Sequence, residues 1–143
     1  MTAFLDSSAL VKRYAAEEHS KLVTSLDEVV VASEIALVEV PAALWRKHRL
    51  GELPAADARV LTTAFRRDCS GADPDIQLVQ VSPYLLQQAA NLVARHPLRA
   101  YDAVQLASAL LVRQELGACT FGCFDKVLLE SAAAEHMAST WRH

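Results

Sequence analysis

Short apolar runs alternate along this chain with longer stretches of helical period. That alternation is the feature that most restricts the fold, because it predicts an α/β domain built on a parallel sheet. Ala3-Phe4-Leu5 reads as a first strand running into Asp6, and Val29-Val30-Val31-Ala32 as a second. The unbroken apolar character of the second run suits a strand covered on both faces. Ile76 to Val81 and Cys119 to Phe124 read as two more strands, and Ala138 to Trp141 as an edge strand.

Helices fill the intervals. The pattern predicts them from Ser8 to about Ala16, from Ser20 to Asp27, and from Glu34 to about Leu50 behind a Ser33 N-cap. Pro41 should kink the third by removing a backbone donor. Further helices run from Pro54 to about Asp68, from Ser82-Pro83 to near His96, from Ala100 to Leu116 with Gly117 closing it, and from Lys126 to about His136. No linker, repeat or low-complexity tract divides residues 1–143, so a single domain is expected. Its 52% hydrophobic and 22% charged residues describe a globular chain that can bury a core.

Several function classes fall away. No apolar run reaches the ~18 residues of a membrane span, and the N-terminus lacks the basic start of a signal peptide, so a cytoplasmic protein is expected. Cys69, Cys119 and Cys123 form no CxxC pair, and the latter two read as small core residues. No GxSxG, Walker loop, GxGxxG or HExxH is present. A net charge of −3 argues against coating nucleic acid by bulk electrostatics. An enzyme whose acids hold metal ions escapes that objection, because the ions reverse the local repulsion of phosphate.

Four carboxylates stand in unusual places. Asp6 and Asp125 each follow an apolar strand and precede a helix, where ligands gather in parallel sheets. Each also suits a helix N-cap. Asp102 opens a helix that is apolar nearly all round, so it is expected to be buried, and a lone buried charge needs a cation or donors. Glu39 lies on an apolar stripe with Ile35, Ala36, Ala42 and Ala43, where the other reading is a pairing with a buried Arg or Lys. Glu34 reads as a first-turn partner of the helix dipole. Oxygen donors without a His and Cys cluster suit Mg²⁺ or Mn²⁺, and four acids can balance one or two such ions.

These residues in this order resemble the PIN-domain ribonucleases, most of all the VapC-type toxins of type II toxin–antitoxin systems. The matching stretches are Phe4-Leu5-Asp6-Ser7-Ser8-Ala9-Leu10-Val11-Lys12, Val38-Glu39-Val40-Pro41-Ala42-Ala43-Leu44, Leu98-Arg99-Ala100-Tyr101-Asp102-Ala103-Val104-Gln105-Leu106-Ala107 and Phe124-Asp125-Lys126-Val127-Leu128. Together they span essentially the whole chain.

The resemblance implies a three-layer α/β/α PIN-like domain with a mainly parallel sheet of four to five strands. It implies a metal-dependent endoribonuclease with Asp6 and Asp102 as core ligands of Mg²⁺ or Mn²⁺. Glu39 and Asp125 would complete the catalytic acidic cluster, and Ser8 would orient a carboxylate. Arg99 is the candidate contact to the RNA strand. A VapB-type antitoxin, a homodimer and a toxin–antitoxin hetero-oligomer are the implied assemblies, and Leu10, Val11, Tyr14, Leu44 and Trp45 are the expected antitoxin groove. Gln105, where many relatives carry His, and Pro41 depart from the pattern. The basic groups at Lys12-Arg13, Trp45 to Arg49, Arg66-Arg67 and Arg95 to Arg99 read mostly as solvated faces, with some phosphate contacts needed. The competing readings are a small Mg²⁺-dependent phosphatase or phosphotransfer domain, and a non-catalytic PIN-like binding domain.

Overall fold

A computed structural model describes residues 1–142. Four strands, β1 (Thr2–Leu5), β2 (Val29–Ser33), β3 (Ile76–Val79) and β4 (Thr120–Gly122), form one sheet in the order β3-β2-β1-β4. All three pairings are parallel, with Phe4 opposite Val31 on one side and Phe121 on the other. Seven helices complete the described chain: α1 (Ser7–Val11), α2 (Ser20–Thr24), α3 (Ala36–Arg49), α4 (Ala55–Asp68), α5 (Pro83–Arg95), α6 (Ala100–Leu116) and α7 (Lys126–Ala134).

Side-chain alternation along the strands builds three layers. Ala3, Leu5, Val30 and Ala32 face α1, α3 and α4, packing with Leu10, Val40, Leu44 and Phe65. Phe4, Val31 and Phe121 face the other way, onto Leu85 and Leu92 of α5, Leu106 and Ala109 of α6, and Leu128 of α7. Cys119 and Cys123 are buried in that second layer. The fold is therefore the three-layer α/β/α arrangement with four parallel strands. No described helix is long and apolar enough to cross a membrane.

Local chemistry explains most boundaries. Ser82 accepts from the Leu85 amide at 3.1 Å and Pro83 opens α5, a pairing suited to a helix start. Gly117 ends α6 at φ 82°, a left-handed position that glycine takes without steric cost.

Other boundaries differ from the sequence expectation. The third helix begins at Ala36 because Glu34 is still engaged with the sheet: its amide donates to Val79 O at 2.9 Å, and its carboxylate accepts from Val81 N at 2.8 Å. Glu34 thus ties β2 to the end of β3 instead of serving a helix dipole, and Ser33 caps only a turn through the Ile35 amide. α3 continues through Pro41 as one helix. The expected edge strand at Ala138 to Trp141 is a single parallel bridge between Phe121 and Ser139.

Candidate active site

β1 and β4 are neighbours and run the same way, so the residues just beyond Leu5 and Gly122 reach one edge of the sheet. Asp6 remains in the ladder through its amide, which donates to Gly122 O at 3.1 Å, and then caps α1. Its Oδ1 accepts from Ala9 N at 2.9 Å, and Ser8 Oγ donates to both carboxylate oxygens at 2.9 and 3.0 Å. Only 5% of Asp6 is exposed. Burial pushes its carboxyl up to about 7, and the nearby charges of Asp102 and Glu39 push the same way, against the hydrogen bonds from Ala9 and Ser8.

Asp125 caps α7 in the same manner, accepting from Leu128 N at 2.9 Å through Oδ1 while staying exposed. Asp102 lies in the first turn of α6, where Arg99 Nε donates to its Oδ2 at 3.3 Å. At 26% side-chain exposure it is less buried than its helix suggested, because it sits at the end of α6 that opens on the cavity. Glu39, on α3, accepts at Oε1 from Ser7 Oγ and from Gln105 Nε2, both at 2.8 Å.

One cavity of about 600 Å³ joins these side chains. Asp6, Glu39, Asp102 and Asp125 all line it, together with Ser8 and Arg99. Oε2 of Glu39, Oδ1 of Asp102 and Oδ2 of Asp125 accept no hydrogen bond from the described residues. Among the described residues, no three His, Cys, Asp or Glu side chains already stand close enough to enclose an ion. As donors, the four acids fit a hard divalent cation in charge and in element, and burial first, then the charges of Asp102 and Glu39, raise the Asp6 carboxyl.

Three further residues of this wall were not singled out from the sequence as site residues: Gln105, Lys12 and Lys47. Gln105 is 2% exposed, and its Nε2 bridges Ser7 Oγ at 2.9 Å and Glu39 Oε1 at 2.8 Å. That orientation of the amide follows from the carboxylate, which can only accept. A polar residue three positions after Asp102 in an apolar helix was the available signal. Lys12 and Lys47 also line the cavity, and both bond the carboxylate of Glu17, Lys12 at 2.9 Å. Burial alone would raise Glu17, but the hydrogen bonds from Lys47 and Lys12 outweigh it and hold the carboxyl below its ordinary value. Lys12 is 13% exposed and Lys47 20%, so these two cations are not a solvated face.

The groove expected at Leu10, Val11, Tyr14, Leu44 and Trp45 is not open. Leu10, Val11 and Leu44 are core residues, and Tyr14 bonds Asp68 at 2.6 Å. Trp45 is half-buried, beside His48 and under Arg59.

Asp6 and Asp125 stand just beyond the carboxyl ends of the neighbouring strands β1 and β4 of a parallel sheet, and the family model for the PIN domain matches residues 3–130. The chain belongs to the PIN-domain family. Within it, the chain is similar to Ribonuclease VapC45 and Ribonuclease VapC49 from two strains of Mycobacterium tuberculosis. It is 36% identical to each over 115 residues, which cover 76% of this chain and 75% of either relative.

Proposed function

We propose that this protein is a Mg²⁺- or Mn²⁺-dependent endoribonuclease, the toxin of a type II toxin–antitoxin pair, held inactive in the cytoplasm by a VapB-type antitoxin. The observation that carries this reading is the meeting of Asp6, Glu39, Asp102 and Asp125 in one cavity at the edge of a parallel sheet. The relatives' printed name, ribonuclease, supports RNA as the substrate.

Asp6 and Asp102 are the proposed core ligands, and Glu39 and Asp125 complete the set. A divalent ion bound there supplies an acidified water and positive charge for the leaving oxygen of a phosphodiester. The chain's part is to aim the acids. Ser8 and Ala9 orient Asp6, while Ser7 and Gln105 hold one oxygen of Glu39 and leave the other available. Arg99, Lys12, Arg46 and Lys47 in the same wall offer charge to the phosphates of the strand. A flexible antitoxin would place an arginine among the acids, giving them the charge that metal otherwise brings. Homodimers bearing antitoxin are the proposed resting assembly.

The test is cleavage of defined single-stranded RNAs with Mn²⁺, Mg²⁺ or EDTA, by wild type and by Asp6→Asn and Asp102→Asn. Each substitution should lower the rate by at least ~100-fold, the usual cost of losing one electrostatic contributor. Undiminished cleavage in EDTA, or by Asp6→Asn, overturns the reading.

A further inference from the structure

Beside the acids lies an aromatic feature that the proposed chemistry does not use. Phe124, which precedes Asp125, lines the acid cavity. His19 stacks on the Phe124 ring with centroids 4.9 Å apart and planes within 3°. Trp141 also stacks on Phe124, at 4.9 Å and 15°. The three rings form a near-parallel column, and Lys12 Nζ approaches the middle ring to 5.1 Å.

The side chain of His19 is 45% exposed, with Glu18 Oε1 3.5 Å from its Nε2. His19 also occupies the left-handed region at φ 68°, one of two non-glycine residues among those described to do so. His, like Asn, enters that region more readily than most side chains, and the ring at this position lies parallel to Phe124. The result is a flat, part-exposed ring stacked on Phe124, which lines the acidic cavity together with Lys12 and Lys47, the two cations that share Glu17.

A flat ligand with a negatively charged tether matches that surface, and an unpaired nucleotide has both parts. We infer that the His19 ring is a stacking platform for one unpaired base of the RNA, adjacent to the phosphodiester held at the acids. This rests on the ribonuclease reading and deepens it. Stacking tolerates all bases because each has a π face, and it favours the larger purines. The platform therefore sets the path of the strand more than the sequence that is cut.

The experiment pairs His19 with the base it meets. A single-stranded RNA that wild type cuts at a mapped bond is synthesised with an abasic site at each of the three positions on either side. Binding is measured by fluorescence anisotropy in the Asp6→Asn background, which prevents cleavage. His19→Asn removes the ring while keeping a residue that tolerates the left-handed conformation, and His19→Phe retains an aromatic plane. His19→Asn should weaken binding by about 5- to 100-fold, the range for one base–aromatic stack, and His19→Phe should restore it. One abasic position should weaken the parent protein equally and cost nothing further in His19→Asn.

Additive losses, or unchanged affinity in His19→Asn, overturn the platform. So does a variant that loses antitoxin binding but keeps RNA affinity, since the ring would then serve a protein partner. If wild type cleaves and His19→Asn matches it in KM, only the platform fails. If wild type cleaves no RNA, the ribonuclease reading fails and takes the platform with it.

Discussion

Gln105 Nε2 lies 2.8 Å from Glu39 Oε1, a hydrogen bond that joins α6 to α3 across 66 residues of sequence. The same amide reaches Ser7, so one side chain ties together the helices that carry Glu39, Asp102 and the turn after Asp6. Its Oε1 is buried without a partner among the described residues, which marks the group as held for its donor side.

Replacing Gln105 by Leu should therefore cost stability and positioning at once. Losing hydrogen bonds to a carboxylate costs about 1.5–3 kcal/mol, partly offset because a buried orphan acceptor disappears too. Urea denaturation should show a net loss of ~1–2 kcal/mol, and RNA cleavage should fall about 10- to 100-fold, as when a ligand's orienting partner is removed. Gln105→Glu should be worse at pH 7 than at pH 4, since it sets a second carboxylate against Glu39. Equal penalties at both pH values would show that the two side chains do not meet.

Gly122 ends β4 with no room for a side chain. A methyl group there would run into Leu5 Cδ2, with Trp141 Cζ3 at 3.0 Å and Thr140 Oγ1 at 3.2 Å. Leu5 is fully buried between sheet and helices and cannot swing away. Gly122→Ala should destabilise the protein by about 1–3 kcal/mol, the usual cost of overpacking. It should also shift Trp141, and with it the ring column, so a change in tryptophan fluorescence in the folded protein is expected. A variant with unchanged melting temperature and emission would contradict this packing.

Glu135 supplies the acid-sensitive contact of the second layer. A hydrogen bond from His96 holds its carboxyl below the ordinary value against partial burial, and Arg95 helps with two contacts at 3.2 Å. A carboxyl lowered on folding contributes stability above its unfolded value of about 4.5, and that contribution disappears as pH falls through the lower folded value. Glu135→Gln should be less stable than wild type at pH 7 by roughly 1 kcal/mol, given how exposed Arg95 is. The difference should shrink as pH falls through the lowered folded value. A difference that does not shrink in acid would assign the effect to packing.

The strand ends and α6 were legible because their signals are local. Asp6 and Asp125 each follow an apolar run, and α6 begins at Ala100 and ends at Leu116, before Gly117, as its pattern indicates. For both acids, capping and cavity lining were competing readings, yet the structure satisfies both: one oxygen caps the helix while the side chain lines the cavity. Glu34 misled because its partner, the Val81 amide, is 47 residues away. The Glu17 bridge between Lys12 and Lys47 and the Gln105–Glu39 bond were equally invisible, since each depends on which helices the sheet brings together. The antitoxin groove failed for a related reason: an apolar helix stripe does not say whether the domain's own core or a partner covers it.

The Asp6 carboxyl gives the sharpest thermodynamic expectation. Burial, reinforced by Asp102 and Glu39, raises it from 3.8 to about 7 in the metal-free protein. A carboxyl raised on folding favours the native state fully below its unfolded value, and the benefit is lost as pH rises through the folded one. Metal-free wild type should therefore lose stability between about pH 4 and pH 7, by at most ~4 kcal/mol from this group at ~1.4 kcal/mol per pH unit. In EDTA at pH 8, Asp6→Asn should be the more stable protein, because it keeps an acceptor for Ala9 and drops the charge. Below pH 4 the two should converge. Adding Mn²⁺ at a hundredfold excess over its Kd stabilises a protein that binds it only when folded by about 2.7 kcal/mol. That gain should appear in wild type and be largely absent from Asp6→Asn and Asp102→Asn, narrowing or reversing the order seen in EDTA. Thermal melts across pH with and without Mn²⁺ read all of this. If Asp6→Asn is no more stable than wild type in EDTA at pH 8, neither burial nor the neighbouring acids penalise the Asp6 charge. If all three proteins respond alike to Mn²⁺, the ion binds elsewhere.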